Sequence, residues 1–220
     1  MSAGKLLVAG ILYPGFELLD LFGPLEMYSM LGPEHVDIKL IAATVEPVGS
    51  AMGQAVGAGP RATPDYNFAN APQADIIVLP GGFGTLPELE NNTILAFLQQ
   101  QSADAQYTTS VCTGSLLLAK AGLLDGRRAT TNKQFFALSA MVPSDTQWVE
   151  EARWVEDGKF FTSSGVSAGM DMSLALIAKL WGEDEAVAAA DGAEYQWHRD
   201  AASDPFYDQL NNGARAFGLI

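Results

Sequence analysis

Apolar residues fall along this chain in two alternating patterns. Short apolar runs at Lys5 to Leu12 and Asp75 to Leu79 end at Pro-Gly turns, as expected of strands buried on both faces, and Val36 to Thr44 and Gln106 to Val111 read as further strands. Between them apolar positions recur at helical spacing. Phe16 to Leu31 carries Leu18, Leu19, Phe22, Leu25, Met27, Met30 and Leu31, and Gly23-Pro24 predicts a break there, with a restart that puts Pro24 in a first turn. Helices are also predicted for Leu89 to Gln101, Thr113 to Ala121 (closed by Gly122), Lys133 to Met141, Val166 to Trp181 (stopped at Gly182) and Asp184 to Asp191. Glu46 to Thr63 reads as hairpin strands or an irregular excursion, Pro64 to Pro72 as loop, and Arg128 to Thr131 as a short strand. Trp154 to Phe161 reads as a hairpin across Asp157-Gly158.

Strands alternating with helices of this length imply an α/β fold: a doubly wound, mostly parallel sheet with helices on both faces. No repeat, low-complexity tract or linker interrupts the pattern, so residues 1–220 are expected to form a single domain. Ligands in such sheets bind outside the carboxyl ends of the strands. Three features are delivered there: the Glu17–Asp20 region, the loop Pro80-Gly81-Gly82-Phe83-Gly84, and Cys112-Thr113-Gly114-Ser115.

Cys112 stands between an apolar strand and an apolar helix, the arrangement of a nucleophile elbow, in which a sharp turn lifts the side chain off the sheet. The neighbouring helix N-terminus favours thiolate, by up to about 2 kcal/mol in good geometry. An isolated cysteine is otherwise an inert buried hydrophobe. Asp20, inside Leu18-Leu19-Asp20-Leu21-Phe22, is costly to bury while charged and reads alone as a cap or a backbone contact. Beside Cys112 it acquires a second reading: acid and thiol would share one proton, with Asp20 protonated and the sulfur ionised. The Gly81 and Gly82 amides could form an anion hole, with Thr113 adding a hydroxyl and an amide. His35 reads as a surface-loop residue, His198 lies in an acidic stretch near the C-terminus, and neither is favoured as a base for Cys112; Trp148, Trp154, Trp181 and Trp197 read as core or dimer packing.

Composition narrows the partners. Of 220 residues, 48% are hydrophobic and 17% charged, which excludes disorder, and a domain of this size needs no staple. Acidic residues outnumber basic ones 26 to 12, and a net charge of −14 argues against a nucleic-acid partner. One Cys allows no internal disulfide, and two His offer no usual zinc site, so no metal is expected. The apolar run Leu6 to Leu12 is too short to span a bilayer and no other run is longer, so the expectation is a cytoplasmic protein with no membrane partner.

Several stretches together resemble the ThiJ/PfpI superfamily (class I glutamine-amidotransferase-like) over nearly the full length. They are Leu19-Asp20-Leu21-Phe22-Gly23-Pro24, Leu79-Pro80-Gly81-Gly82, Thr109-Ser110-Val111-Cys112-Thr113-Gly114-Ser115, the run Ala121 to Thr131, and Ser163 to Asp171. Within it the chain is most similar to isonitrile hydratases and to sensor domains of AraC-type regulators. The peptidase branch has His where Thr113 stands, and the deglycase branch has Glu in place of Asp20. Hydratases and sensors often read Thr-Thr-His where this chain has Thr130-Thr131-Asn132.

The resemblance implies a flavodoxin-like fold, a homodimer, and no metal or organic cofactor. It implies Cys112 as nucleophile and Asp20 as general acid/base, with Thr113, Gly82 and Val166 near the small-molecule substrate. The implied reaction is that of a lyase hydrating an isonitrile to an N-substituted formamide through a cysteine thioimidate. Two alternatives stand beside it: glyoxalase or deglycase chemistry on small dicarbonyls, and a non-catalytic ligand- or redox-sensing domain.

Overall fold

The computed structural model describes residues 4–220. In chain order the elements are β1 (Leu6–Ile11), α1 (Leu18–Ser29), β2 (Val36–Ala42), β3 (Val48–Gly49), β4 (Arg61–Ala62), β5 (Tyr66–Asn67), β6 (Ile76–Leu79), α2 (Thr85–Glu88), α3 (Asn92–Asp104), β7 (Tyr107–Val111) and α4 (Gly114–Lys120). Then come β8 (Arg128–Ala129), a 3-10 turn (Phe136–Met141), β9 (Gln147–Trp148), β10 (Trp154–Asp157), β11 (Phe160–Ser163), α5 (Ala168–Trp181), α6 (Glu183–Gly192) and α7 (Asn212–Ala216).

Seven strands form the main sheet in the order β10-β11-β7-β6-β1-β2-β5. All neighbours are parallel except the β10–β11 hairpin. Its parallel core β2-β1-β6-β7-β11 has the flavodoxin-like doubly wound order, so the strand order reverses between β1 and β6. Helices α1, α5 and α6 pack together on one face, and α2, α3 and α4 on the other. The central strands are buried on both sides, which is why LLVAGI and IIVL read as continuous apolar runs rather than alternating ones. No helix among the described residues is long and apolar enough to cross a membrane.

Three local expectations are corrected. The break expected at Gly23-Pro24 is absent: α1 runs unbroken with Pro24 inside it. Pro24 denies the Asp20 carbonyl its usual partner four residues on. Packing offsets that loss, because a Cβ on Gly23 would stand 2.9 Å from Met170 Cγ and one on Gly169 would stand 3.1 Å from Pro24 Cγ. The small residues thus let α1 and α5 close on each other. Inside the expected loop Pro64 to Pro72, β5 extends the sheet edge beside Ile41 and Ala42, held by the Leu40 amide donating to Asp65 Oδ2 at 2.8 Å. The hairpin loop is Gly158-Lys159, one residue later than expected, since Asp157 pairs with Phe160.

Candidate active site

The carboxyl ends of β1, β6 and β7 meet at one crevice. The loops after β1 and β6 are stitched together by main-chain bonds: Glu17 N donates to the Gly81 carbonyl at 2.8 Å, and Gly84 N to the Gly15 carbonyl at 3.0 Å. A cavity of about 120 Å³ opens there. Phe83, Leu86, Phe135, Leu138 and Leu219 give it apolar walls, while Glu17, Cys112, Thr113, Asn132 and Val166 supply most of the rest.

Cys112 links β7 to α4 with φ at +57°, left-handed backbone that L-residues other than Asn, Asp and His rarely adopt. The surroundings hold it there. Its amide donates to the Ser164 carbonyl at 2.9 Å, and its carbonyl accepts from Thr131 Oγ1 at 2.9 Å and Ser115 Oγ at 3.0 Å. Val166, across the cavity, is also left-handed at φ +44°, which for a β-branched residue is an outlier. Two such residues at one crevice mark a strained site.

Asp20 lies fully buried in the first turn of α1. Its Oδ2 accepts from the Gly81 amide at 2.9 Å, whereas Oδ1 has no partner at bonding distance. Burial pushes its carboxyl up to about 7; the charge of Glu17 adds to this, and Gly81, the Cys112 thiol and the Val166 amide pull it back. Burial, and then the neighbouring Asp20, push the Cys112 thiol well above its usual range. The Thr113 amide, Asn132 and the Thr113 hydroxyl draw it down, but less. At the sulfur, desolvation thus works against the helix terminus that favours thiolate. The pair still holds one proton between two acceptors over a wide range above about pH 7.

The glycine amides are not free. Gly81 N serves Asp20, and Gly82 N donates to Thr113 Oγ1 at 3.1 Å. Thr113 in turn bonds Thr85 Oγ1 at 2.9 Å, so its hydroxyl ties the β6 loop to the elbow. The expected anion hole at Gly81 and Gly82 is thus corrected to a brace that positions Asp20 and Thr113. Gly82 is left-handed (φ +128°), and a Cβ there would stand 2.6 Å from Glu17 N.

Sequence reasoning passed over the role of Asn132. Its Nδ2 donates to Cys112 Sγ at 3.0 Å, and its Oδ1 accepts from Phe135 N at 3.1 Å, which fixes the amide orientation. Only a glycine at 165 leaves room for that amide, because a Cβ would collide with Nδ2. Behind Asn132, four buried charged side chains interlock. Arg153 reaches Asp171 Oδ2 at 2.7 Å and Asp204 Oδ1 at 3.5 Å, and Lys133 Nζ lies 4.0 Å from Asp204 Oδ2. Neither His lines the cavity: the His35 ring packs edge-on against Trp181, and the His198 amide donates to Asp171. Among the described residues, no three His, Cys, Asp or Glu side chains converge as metal ligands.

Residues 7–179 match the DJ-1/PfpI family. The chain belongs to that family. Similar members include the isonitrile hydratase of Pseudomonas putida, 38% identical over 176 residues that cover 80% of this chain and 72% of that enzyme. The HTH-type transcriptional regulator GbdR of Pseudomonas aeruginosa is 33% identical over 83% of this chain, which spans half of that regulator's length. The crystal structure of a ThiJ/PfpI family protein from Pseudomonas syringae superposes with a TM-score of 0.77 at 31% identity, covering 98% of this chain and 88% of that one. The family thus holds both an enzyme and a regulator that are similar to this chain.

Proposed function

We propose that this member hydrates isonitriles, with Cys112 as nucleophile and Asp20 as the proton carrier. The observation that carries the reading is the buried acid–thiol pair, unaccompanied by histidine, at a small apolar cavity. An isonitrile is compact and uncharged, and its terminal carbon accepts both a nucleophile and a proton. One acid and one thiol suffice for that chemistry.

The steps balance on these two residues. Asp20, ionised above about pH 7, takes the thiol proton as sulfur bonds the terminal carbon, then delivers it to that carbon to give a thioimidate. The Asn132 amide, 3.0 Å from Sγ, stabilises the charge that sulfur carries in between. Asp20, again a carboxylate, removes a proton from water as its oxygen adds to the same carbon. Asp20 returns that proton to nitrogen, and as the C–S bond breaks the proton of the added hydroxyl passes to sulfur, leaving the N-substituted formamide and the free thiol. The similarity to the hydratase of Pseudomonas putida supports the reading.

The test is formamide production from a simple alkyl isonitrile by the wild type, Cys112→Ala and Asp20→Asn. Turnover by the wild type that is lost in both variants is expected. Full activity of Asp20→Asn overturns the mechanism. The burial that raises the Cys112 thiol and the similarity to GbdR favour one second reading, a ligand-sensing domain, which gains if the wild type binds isonitrile without turnover.

A further inference from the structure

Glu17 is the acidic side chain in the cavity wall, and the mechanism above does not use it. It precedes α1 and is half-buried; among the described residues no other side chain bonds its carboxylate. Burial pushes its carboxyl up from the ordinary value, and the Leu18 amide partly draws it back. Its charge reaches Asp20, where it helps hold the proton on that carboxyl, so the carboxylate lies within electrostatic range of the reacting pair. Around it the cavity is apolar and aromatic: the rings of Phe83 and Phe135 stand edge to face with centroids 5.7 Å apart, and Phe217 stacks on Phe135 at 5.8 Å. Among the described residues no Lys or Arg lines the cavity: Lys133, next to Asn132 in the chain, bonds Thr130 and lies near Asp204 instead.

We infer that Glu17 selects the charge of what enters, so that the cavity takes substrates whose tail carries a cationic amine and rejects those ending in a carboxylate. A single carboxylate among aromatic rings is the chemistry that recognises an organic cation: the ring faces attract it, the carboxylate pairs with it, and little else competes. An anionic tail meets Glu17 and the negative charge of the Asp20–Cys112 pair at short range. This specificity rests on the hydratase reading for its substrate, but the charge preference belongs to the cavity and is measurable at the sulfur without turnover.

Cys112 is the one cysteine of the chain, so mixed-disulfide formation there is unambiguous. The experiment compares its rate with three methanethiosulfonates that differ only in the tail: aminoethyl (cationic), ethyl (neutral) and sulfonatoethyl (anionic). Each rate is taken at pH 8 and divided by the rate with free cysteine. In the wild type the aminoethyl reagent is expected to react about tenfold faster than the sulfonatoethyl one. Glu17→Gln collapses that ratio, whereas Glu17→Asp keeps most of it. Glu26→Gln, which removes the same charge from an exposed position of α1, keeps it too and so separates Glu17 from the overall negative charge. A ratio unchanged in Glu17→Gln overturns the inference. Parallel kcat/KM values for isonitriles with amine and carboxylate tails separate the two failures: turnover without charge preference sinks only the role of Glu17, and preference without turnover sinks only the hydratase.

Discussion

At the scale of single residues, burying Asp20 carries a cost that depends on pH. A carboxyl raised to about 7 binds its proton more tightly folded than unfolded. Its contribution to stability is therefore present at low pH and lost as pH rises from about 4 through 7, to the extent of roughly 4 kcal/mol at most. Asp20→Asn removes the titration while keeping the shape. At pH 8 the variant is expected to melt above the wild type, with the gap closing toward pH 4, as scanning calorimetry at the two pH values will show. Asn132 acts in the opposite sense, on the sulfur. Deleting a hydrogen bond to a charged acceptor costs about 1.5–3 kcal/mol, so Asn132→Ala should slow iodoacetamide alkylation of Cys112 at pH 8 by about tenfold or more. Cys112 and Asp20 were legible as candidates because an elbow cysteine and an acid among apolar neighbours are unusual in any helix or strand. Asn132 stood out only as a departure from Thr-Thr-His, and its bond to the sulfur was not legible, since that bond depends on Gly165 leaving space beside it and on Phe135 orienting its amide.

Among the elements, the parallel sheet was readable because doubly buried strands leave continuous apolar runs, and those need no knowledge of partners. What escaped was set by contacts between elements. Two-residue β5 has no period to detect and exists because β2 offers an edge. Helix α1 survives Pro24 because Gly23 and Gly169 let it close on α5, which no helical periodicity reports. The Gly81 and Gly82 amides were misjudged for the same reason: whether a glycine loop is open depends on which acceptors face it, here Asp20 and Thr113. The junction of the β1 and β6 loops is correspondingly unforgiving. Gly82→Ala sets a Cβ against Glu17 N and the Gly15 carbonyl and forces an L-residue to φ +128°. A loss of roughly 1–3 kcal/mol from backbone strain alone is expected in urea unfolding, together with slower reaction at Cys112 because Glu17 and Thr113 shift.

For the molecule as a whole, the Arg153, Lys133, Asp171 and Asp204 cluster joins parts of the chain that the sheet does not. Arg153 enters from the start of β10, Asp171 lies in α5, Asp204 in the segment that follows α6, and Lys133 beside Asn132. Arg153→Leu strands two buried carboxylates. Breaking a buried pair this way costs about 3–5 kcal/mol, so a fall in melting temperature of roughly 10 °C is expected by calorimetry. Sequence alone could not assemble this cluster, whose members lie up to 71 positions apart between Lys133 and Asp204.

The left-handed backbone at Cys112 has a consequence in time as well as in space. The residue that suits φ +57° is glycine, and the residue that suits the site beneath it is an uncharged amide in place of Asp20. Both exchanges relax the fold while ending the chemistry. In a lineage that no longer meets the substrate, drift toward stability would run through these two positions first, leaving descendants whose architecture outlives their reactivity.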